Sequence, residues 1–259
     1  MPEIKNISDP RIDNYRTLRY TPRNHSDGGL FITEGEKVTI KLLKSGFEII
    51  SIFAIPEYFK KYAELFSNCN IPAEMRFTAD KKLMEEIVGF RLHNGIMAMA
   101  KQPADVPPDK MSSPIVVLNG INNAENVGAI VRNCATFGIK SLIVDENSSS
   151  PYLRRSVRVS MGGILELDVY HSPNIIEDLR TLTPGQGYSI ISAEITPDSI
   201  SIKSFKFPEK FILVFGNEGH GVQKELLEDS DSIIHIPMAA KADSLNVAAS
   251  TAIFLYEIF

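Results

Sequence analysis

The chain has 259 residues, enough for one large domain or two small ones, and 44% of them are hydrophobic while 23% are charged. These fractions are typical of a soluble globular protein. No apolar run approaches the length of a membrane span, and Met1–Asn6 lacks the apolar centre of a signal peptide, so we expect neither feature. The net charge of −5 argues mildly against nucleic-acid binding, so the distribution of Lys and Arg matters more than their sum.

Cysteine and histidine usage favours a reducing compartment and gives no support to metal chemistry. The two cysteines, Cys69 and Cys134, fall in different predicted domains, so we expect free thiols and a cytoplasmic location. The five histidines are scattered and form no close group with cysteine, so we expect no metal site.

The first part of the chain mixes helical and strand patterns. Thr33 and Glu36 have the spacing of a capping box, which predicts a helix that runs to about Leu43 and stops before Gly46. Further helices are predicted near residues 10–19, 57–66 and 80–88, and strands at residues 47–55 and 95–100. This alternation predicts a small α/β sandwich.

The stretch Gln102–Pro114 is rich in proline, has few large apolar residues and shows no period, so it is predicted to be a linker. It separates a first domain, residues 1–101, from a second domain, residues 114–259, with residues 102–113 between them.

The second domain alternates strands and helices, which predicts an α/β fold with a mostly parallel sheet covered on both faces. The predicted strands are residues 115–118, 141–144, 165–170, 188–193, 211–215 and 233–236. The predicted helices are residues 126–137, 151–160, 175–182, 222–228 and 244–258. In such sheets, ligands bind beyond the carboxyl ends of the strands.

Three segments begin at those strand ends: Asn119–Gly138, Phe211–Val222 and Ile236–Glu257. In the second segment, glycines that follow a strand let backbone amides approach a ligand. In the third segment, Ser244 and Asn246 stand where a helix begins and can satisfy free backbone amides. The glycines could equally form a tight turn and the polar pair could simply cap the helix, so each segment alone is modest evidence.

In this order and spacing, the three segments resemble the signature motifs of the SpoU (TrmH-like) branch of the SPOUT methyltransferases, strongly over residues 114–259. Enzymes of that branch move a methyl group from S-adenosyl-L-methionine to a ribose 2′-hydroxyl of RNA. The resemblance implies a deep trefoil knot, a cofactor pocket made by the knot loops, and a homodimer. More loosely, Phe31–Lys37 and Asn94–Ala98 resemble an L30e/L7Ae-like RNA substrate-binding domain, for which a structural or dimerisation role is the alternative.

The resemblance also implies roles for single residues. Helical spacing puts Arg132 off the apolar stripe of its helix, and the family pattern Asn-x-Gly-x-x-x-Arg is met by Asn126, Gly128 and Arg132. The implied catalytic residues are Asn126, Arg132, Glu218, Ser244 and Asn246. The implied cofactor-binding residues are Leu213, Gly216, Asn217, Ile236, Met238, Ser244 and Leu245. Because a guanidinium stays protonated, the part of Arg132 in proton transfer is left open.

Two basic stretches, Arg11–Arg23 and Tyr152–Arg158, carry several arginines with few acids beside them. Taken alone they would indicate solvated helix faces. Beside the three motifs they favour an RNA path, and the predicted RNA-binding residues are Arg19, Arg23, Arg154, Arg155 and Arg158.

Together these observations predict an S-adenosylmethionine-dependent RNA 2′-O-ribose methyltransferase with ribosomal RNA, and 23S rRNA in particular, favoured over transfer RNA as substrate. The alternatives are a tRNA 2′-O-methyltransferase, a non-catalytic knotted RNA-binding factor and a related enzyme that methylates a base. The presence of all five catalytic residues disfavours the non-catalytic factor, and the ribose-branch motifs disfavour base methylation. No membrane or metal partner is expected.

Overall fold

The computed structural model describes residues 1–16, 18, 28–239 and 244–259. The chain divides into two compact units, Met1–Ala104 with Tyr152–Leu165, and Asp105–Pro151 with Glu166–Phe259. The division after Ala104 falls inside the predicted linker. None of the described helices is both long and apolar enough to cross a membrane.

The described residues form eleven strands and nine α-helices. The strands are β1 (Leu30–Glu34), β2 (Ile49–Ala54), β3 (Arg76–Thr78), β4 (Ile96–Lys101), β5 (Ile115–Asn119), β6 (Ser141–Val144), β7 (Asp168–His171), β8 (Ser189–Ala193), β9 (Ile200–Ser201), β10 (Phe211–Gly216) and β11 (Ser232–His235). The α-helices are α1 (Glu36–Lys44), α2 (Pro56–Lys61), α3 (Ala63–Asn68), α4 (Lys81–Val88), α5 (Ala124–Thr136), α6 (Arg154–Val159), α7 (Ile175–Gln186), α8 (Lys224–Glu228) and α9 (Val247–Ile258).

Several predicted elements differ from the observed ones for local reasons. The predicted helix 57–66 is two helices, because the backbone leaves the helical region at Tyr62. The predicted helix 10–19 is a 3₁₀-helix over Pro10–Tyr15 that ends at the extended residue Arg16. Strand β7 starts only at Asp168, since Gly163–Glu166 forms a 3₁₀ turn. Strands β3 and β9 are too short to show a period in the sequence.

The first unit is built on a four-stranded sheet in the order β1-β4-β2-β3. Strand β4 is antiparallel to both of its neighbours, whereas β2 and β3 are parallel. An apolar cluster packs against the sheet, and its buried members include Ile12, Tyr15, Ile32, Phe53, Met84, Ile87, Met97 and Met99. The first unit therefore has a hydrophobic core of its own, as an α/β sandwich requires.

The predicted capping box at Thr33 is wrong. Thr33 lies in β1 opposite Ala98, fully buried, with its hydroxyl 3.1 Å from the hydroxyl of Thr39. Helix α1 begins instead after Gly35, whose φ of 89° is a conformation that glycine adopts far more readily than other residues. Pairing of β1 with β4 outweighs the local capping signal, because it buries the Thr33 side chain in the sheet.

Residues Tyr152–Leu165, predicted as part of the second domain, belong instead to the first unit. Helix α6 contacts β1, and the ring of Tyr152 lies 5.4 Å from the ring of Phe31. The helix prediction itself is confirmed, but helix periodicity carries no information on which core a helix packs against.

The second unit is built on a seven-stranded sheet in the order β7-β6-β5-β10-β8-β11-β9, and every neighbouring pair in it is parallel. The predicted mostly parallel sheet is therefore confirmed. Along the central strand β10, Ile212 and Val214 join a cluster with residues of α7, whereas Phe215 packs 5.5 Å from the ring of Phe254 on α9. Helices thus cover both faces of β10, and its free carboxyl end lies in the middle of one sheet edge.

Candidate functional site

A cavity of about 480 Å³ opens at the carboxyl ends of β8, β10 and β11. Its volume lies within the range of small-molecule and cofactor sites. It is lined by every predicted cofactor-binding residue except Leu213, namely Gly216, Asn217, Ile236, Met238, Ser244 and Leu245. Two of the three segments singled out in the sequence therefore form its walls.

Leu213 lies inside β10 and is fully buried, two residues before Phe215, which does line the cavity. The two side chains share a face of the strand because side chains alternate along it. Leu213 therefore lies on the strand face that reaches the cavity, but only Phe215, nearer the strand end, lines it.

The segment Asn217–Gly221 forms a closed loop directly after β10. The backbone groups of Asn217 and Gly221 bond each other, with N···O distances of 3.0 and 2.8 Å. A Cβ on Gly221, where φ is 71°, would lie 2.2 Å from an oxygen of Glu194. A Cβ on Gly216 would lie 2.2 Å from the carbonyl carbon of Gly221. These glycines let the backbone itself form the wall of the cavity.

The side chain of Asn217 holds this loop in place. Its Nδ2 donates to the carbonyl oxygen of Gly120 at 2.7 Å, and its Oδ1 accepts from the backbone N–H of Gly219 at 2.8 Å and of His220 at 3.2 Å. Asn217 therefore connects the loop after β10 to the turn after β5.

A network of buried polar groups also holds the carboxyl ends of β5, β6 and β10. Asp145 Oδ2 accepts from Asn119 Nδ2 at 3.0 Å and from the backbone N–H of Gly120 at 2.9 Å. Asn119 Oδ1 in turn accepts from the backbone N–H of Gln223 at 2.8 Å. Because these groups are buried and hydrogen-bonded to each other, the ends of β5, β6 and β10 are held in fixed relative positions.

Sequence reasoning missed two polar cavity residues on the loop after β8, Glu194 and Thr196. Glu194 accepts from the backbone N–H of Ile195 at 2.8 Å and of Val222 at 3.0 Å, so it joins two loops of the cavity. The hydroxyl oxygen of Thr196 is buried and has no hydrogen-bond partner within the described residues, which makes it a candidate ligand contact. The sequence feature that could have indicated these two residues is a run of polar residues directly after a predicted strand, at the sheet edge where the three motif segments also begin.

A chain of hydrogen bonds joins the three segments at the side of the cavity. Asn126 Nδ2 donates to the carboxylate of Glu218, and Asn246 Nδ2 donates to Asn126 Oδ1 at 3.1 Å. Asn246 Oδ1 also caps helix α9 by accepting from the backbone N–H of Ala248 at 3.0 Å. Three of the five predicted catalytic residues, one from each segment, therefore meet in one place.

The other two predicted catalytic residues, Ser244 and Arg132, stand outside this hydrogen-bond chain and are exposed to solvent. Ser244 lies on the cavity wall. Arg132 lies on α5 off the buried stripe of that helix, as predicted, and its guanidinium has no ion pair with any described residue. Arg132 does not line the cavity, so its guanidinium lies outside the site that this single chain forms.

A family model describing the SpoU rRNA methylase family matches residues 113–256 of the chain. The chain belongs to the SpoU rRNA methylase family. The matched stretch contains the cavity loops and the Glu218–Asn126–Asn246 hydrogen-bond chain, so the family predicted from the three motifs is confirmed.

Relatives of this SpoU family member carry methyltransferase names. An uncharacterised tRNA/rRNA methyltransferase of Mycobacterium tuberculosis is 30% identical over 98% of this chain and 90% of its own length. The 23S rRNA (guanosine-2′-O-)-methyltransferase RlmB of Vibrio vulnificus is 30% identical over 68% of this chain and 74% of its own. The AdoMet-bound rRNA methyltransferase structure from Sinorhizobium meliloti superposes with a TM-score of 0.86 at 21% identity, covering 99% of this chain and 96% of that one. This chain therefore shares the fold of the S. meliloti structure over nearly its whole length.

Among the predicted RNA-binding arginines, Arg154 has a structural role within the first unit. Its guanidinium pairs with the carboxylate of Glu34, and the two side chains are only 13% and 5% exposed. It also lies 4.2 Å from the centroid of the Phe90 ring. Burial lowers the pKa of Arg154 and the charge of Glu34 opposes that shift. Because the Arg154 guanidinium is already paired and mostly buried, it is poorly placed to bind an RNA phosphate.

The other predicted RNA-binding arginines differ from Arg154. Arg155 and Arg158 are exposed on α6 and make no ion pair with a described residue, so they stay predicted RNA contacts. Arg19 and Arg23 lie outside the described residues. Across the part of the chain that the structure describes, no group of three or more His, Cys, Asp or Glu side chains could hold a metal ion.

Proposed function

We propose that the chain transfers a methyl group from S-adenosyl-L-methionine to a ribose 2′-hydroxyl of ribosomal RNA. The observation that carries the proposal is the hydrogen-bond chain through Glu218, Asn126 and Asn246 beside the cavity. The names of the RlmB relative and of the AdoMet-bound S. meliloti structure support both the cofactor and the substrate.

The residues of the cavity fit S-adenosylmethionine. The cavity is large enough, its wall is backbone at Gly216 and Gly221, and the buried hydroxyl of Thr196 lacks a partner within the described residues. Backbone groups near Ile236, Met238 and Leu245 would hold the adenosyl moiety, as the family resemblance implies. When bound, the cofactor supplies a methyl group activated on a sulfonium.

The chain must then place the ribose hydroxyl, accept its proton and balance the charge that develops on its oxygen. Glu218 is held in position by Asn126 and is the carboxylate next to the cavity that places the hydroxyl. A guanidinium is a poor proton acceptor and a good partner for anions, so we assign Arg132 the stabilisation of negative charge on the oxygen or a neighbouring phosphate rather than proton abstraction.

We also propose a homodimer. Large apolar side chains on and after helix α9 are exposed in this single chain, with Ile253 at 38%, Tyr256 at 71% and Phe259 at 86%. Exposed apolar patches of this kind mark protein–protein interfaces. A second copy would cover them, and could bring the free Arg132 of one chain to the cavity of the other.

For the first domain, residues 1–101, we propose an L30e-like RNA substrate-binding role. The two segments that carry the resemblance are adjacent: β1 pairs with β4, and the backbone N–H of Gly35 donates to the carbonyl oxygen of Ile96 at 3.0 Å. This adjacency supports one recognition surface formed by both segments.

Methyl transfer tests the function directly. The purified chain is incubated with isotope-labelled S-adenosylmethionine and either ribosomal or transfer RNA, and nucleosides are analysed by mass spectrometry. We expect a labelled 2′-O-methyl nucleoside from ribosomal RNA. A label on transfer RNA would support the tRNA alternative, and a label on a base would overturn the ribose assignment.

Arg132→Ala tests the charge-stabilising role. We expect methyl transfer to fall by roughly a hundredfold or more, the usual cost of removing one group that stabilises transition-state charge. Calorimetric affinity for S-adenosylmethionine should be nearly unchanged, since Arg132 does not line the cavity of its own chain and is assigned to the charge on the ribose oxygen or a neighbouring phosphate rather than to the cofactor. Activity near wild type in a folded Arg132→Ala protein would refute the role.

A further inference from the structure

Two aromatic rings of the first unit lie parallel outside its core cluster. Tyr58 on α2 and Tyr62 at the end of that helix have ring planes within 2° of each other and ring centroids 6.5 Å apart. Both residues are half-buried, whereas Phe59 between them is buried. The tyrosine pair therefore presents ring surface to solvent.

The rings are held from their hydroxyl ends. The Tyr62 hydroxyl donates to the carboxylate of Glu36, and Asn94 Nδ2 donates to the Tyr58 hydroxyl at 3.3 Å. Lys61 Nζ binds the same Glu36 carboxylate at 2.5 Å and so balances its charge. Because the rings are already ordered, a molecule that stacks on them loses little further side-chain entropy.

The surroundings of the rings carry an amide and two lysines, one of which is paired with Glu36. Lys61 Nζ lies 5.3 Å from the centroid of the Tyr62 ring, and Lys60 next to it is exposed. The side-chain oxygen of Asn94 makes no hydrogen bond within the described residues and lies next to Gly35, so it is free to accept from a base edge. Aromatic faces beside cations and an amide are the elements with which proteins bind unstacked RNA bases.

We propose that Tyr58 and Tyr62 form a stacking site for an unpaired nucleobase of the RNA substrate, with Asn94 contacting the base edge. The inference rests on the proposed function, because it specifies how the first unit recognises that RNA. A stacked base needs an open face, which duplex RNA does not offer, so the ligand is a single-stranded segment or a loop.

Substitution at the two tyrosines separates ring stacking from the hydroxyl network. The double variant Tyr58→Leu/Tyr62→Leu removes the rings, and the matched control Tyr58→Phe/Tyr62→Phe keeps them but removes both hydroxyls. The full chain is titrated with a short single-stranded RNA of mixed sequence and with the same sequence as a duplex. We expect the Leu variant to bind the single strand roughly tenfold to a hundredfold more weakly than wild type does. The affinity of the Phe variant should be much closer to that of wild type.

Photocrosslinking with the same single strand, carrying 4-thiouridine, gives a second readout. We expect mass spectrometry to locate the crosslink at Tyr58 or Tyr62. Unchanged affinity of the Leu variant, or crosslinks found only elsewhere, would overturn the stacking site. A Phe variant as weak as the Leu variant would also count against it, because that result assigns the effect to the hydroxyl network.

Failure of the inference can be distinguished from failure of the proposed function. If the wild-type chain methylates ribosomal RNA and the Leu variant does so with the same KM, only the stacking site is refuted. If the wild-type chain methylates no RNA although it binds S-adenosylmethionine, the proposed function itself fails. Calorimetry with S-adenosylmethionine shows whether the Leu variant has kept its second unit folded.

Discussion

A side chain at Gly216 would collide with backbone, and one at Gly221 would collide with the end of the Glu194 side chain. A Cβ at Gly216 would lie 2.2 Å from the backbone of Gly221, and a Cβ at Gly221 would meet the carboxylate of Glu194 at the same distance. Gly221 also has a positive φ of 71°, whereas a Cβ on the neighbouring Gly219 would have its nearest contact at 3.4 Å. The three glycines of one loop therefore have different tolerance to substitution.

Gly221→Ala should weaken S-adenosylmethionine binding about tenfold or more. The left-handed conformation alone costs an alanine roughly 1–2 kcal/mol, and the new methyl group displaces Glu194 from its bond to Val222. Calorimetric titration measures the change, with Gly219→Ala as the matched control that should bind nearly as wild type. Equal affinities for the two variants would show that the cofactor does not depend on this loop conformation.

The residues at the site show what sequence alone could predict. The resemblance of the three segments to the SpoU motifs implied a shared site for Asn126, Glu218 and Asn246, and the structure joins the three side chains in one hydrogen-bond chain. Glu194 and Thr196 were missed, since they touch the cavity only through the pairing of β8 with β10, which is a long-range contact.

Helix α6 is short, and its arginines suggest that its whole surface is basic. In the structure its two faces differ. Arg154 is buried against Glu34, whereas Arg155 is exposed on the same helix. A six-residue helix is too short for periodicity to separate a structural arginine from a solvated one. Element type could therefore be predicted here, but the unit that the helix packs against could not.

Arg154→Ala should lower the free energy of unfolding by about 3–5 kcal/mol, because it leaves the Glu34 carboxylate buried without its partner. Urea denaturation followed by circular dichroism measures the change. Arg155→Ala is the matched control, and its effect should stay within about 0.5 kcal/mol because the side chain is exposed. If both variants were equally stable, Arg154 would be as available to RNA as its neighbour.

At the scale of the whole molecule, each unit contains one free thiol. Cys69 lies half-buried in the first unit, and Cys134 is fully buried on α5 in the second. Burial raises the pKa of both thiols, that of Cys134 to about 12, so near neutral pH only a very small fraction of Cys134 is the reactive thiolate. Modification of Cys134 therefore reports opening of the second unit.

Saturating S-adenosylmethionine should slow alkylation of Cys134 by up to about a hundredfold, since a ligand present at a hundred times its Kd stabilises the closed state by about 2.7 kcal/mol. The rate at Cys69 should stay the same, because the cavity lies in the second unit. Peptide mass spectrometry of a timed iodoacetamide reaction measures both rates in one sample. Equal slowing at both thiols would mean that the ligand binds elsewhere or that the units open together.

The strand order of the second sheet also governs when the cavity can exist during synthesis. Strand β10 inserts between β5 and β8, both translated earlier, and the cavity wall extends to Phe254 on α9. Folds that depend on contacts between such distant parts of a chain form slowly. A nascent chain that has not yet been synthesised as far as Phe254 lacks part of the cavity wall, so its site for the methyl donor is incomplete.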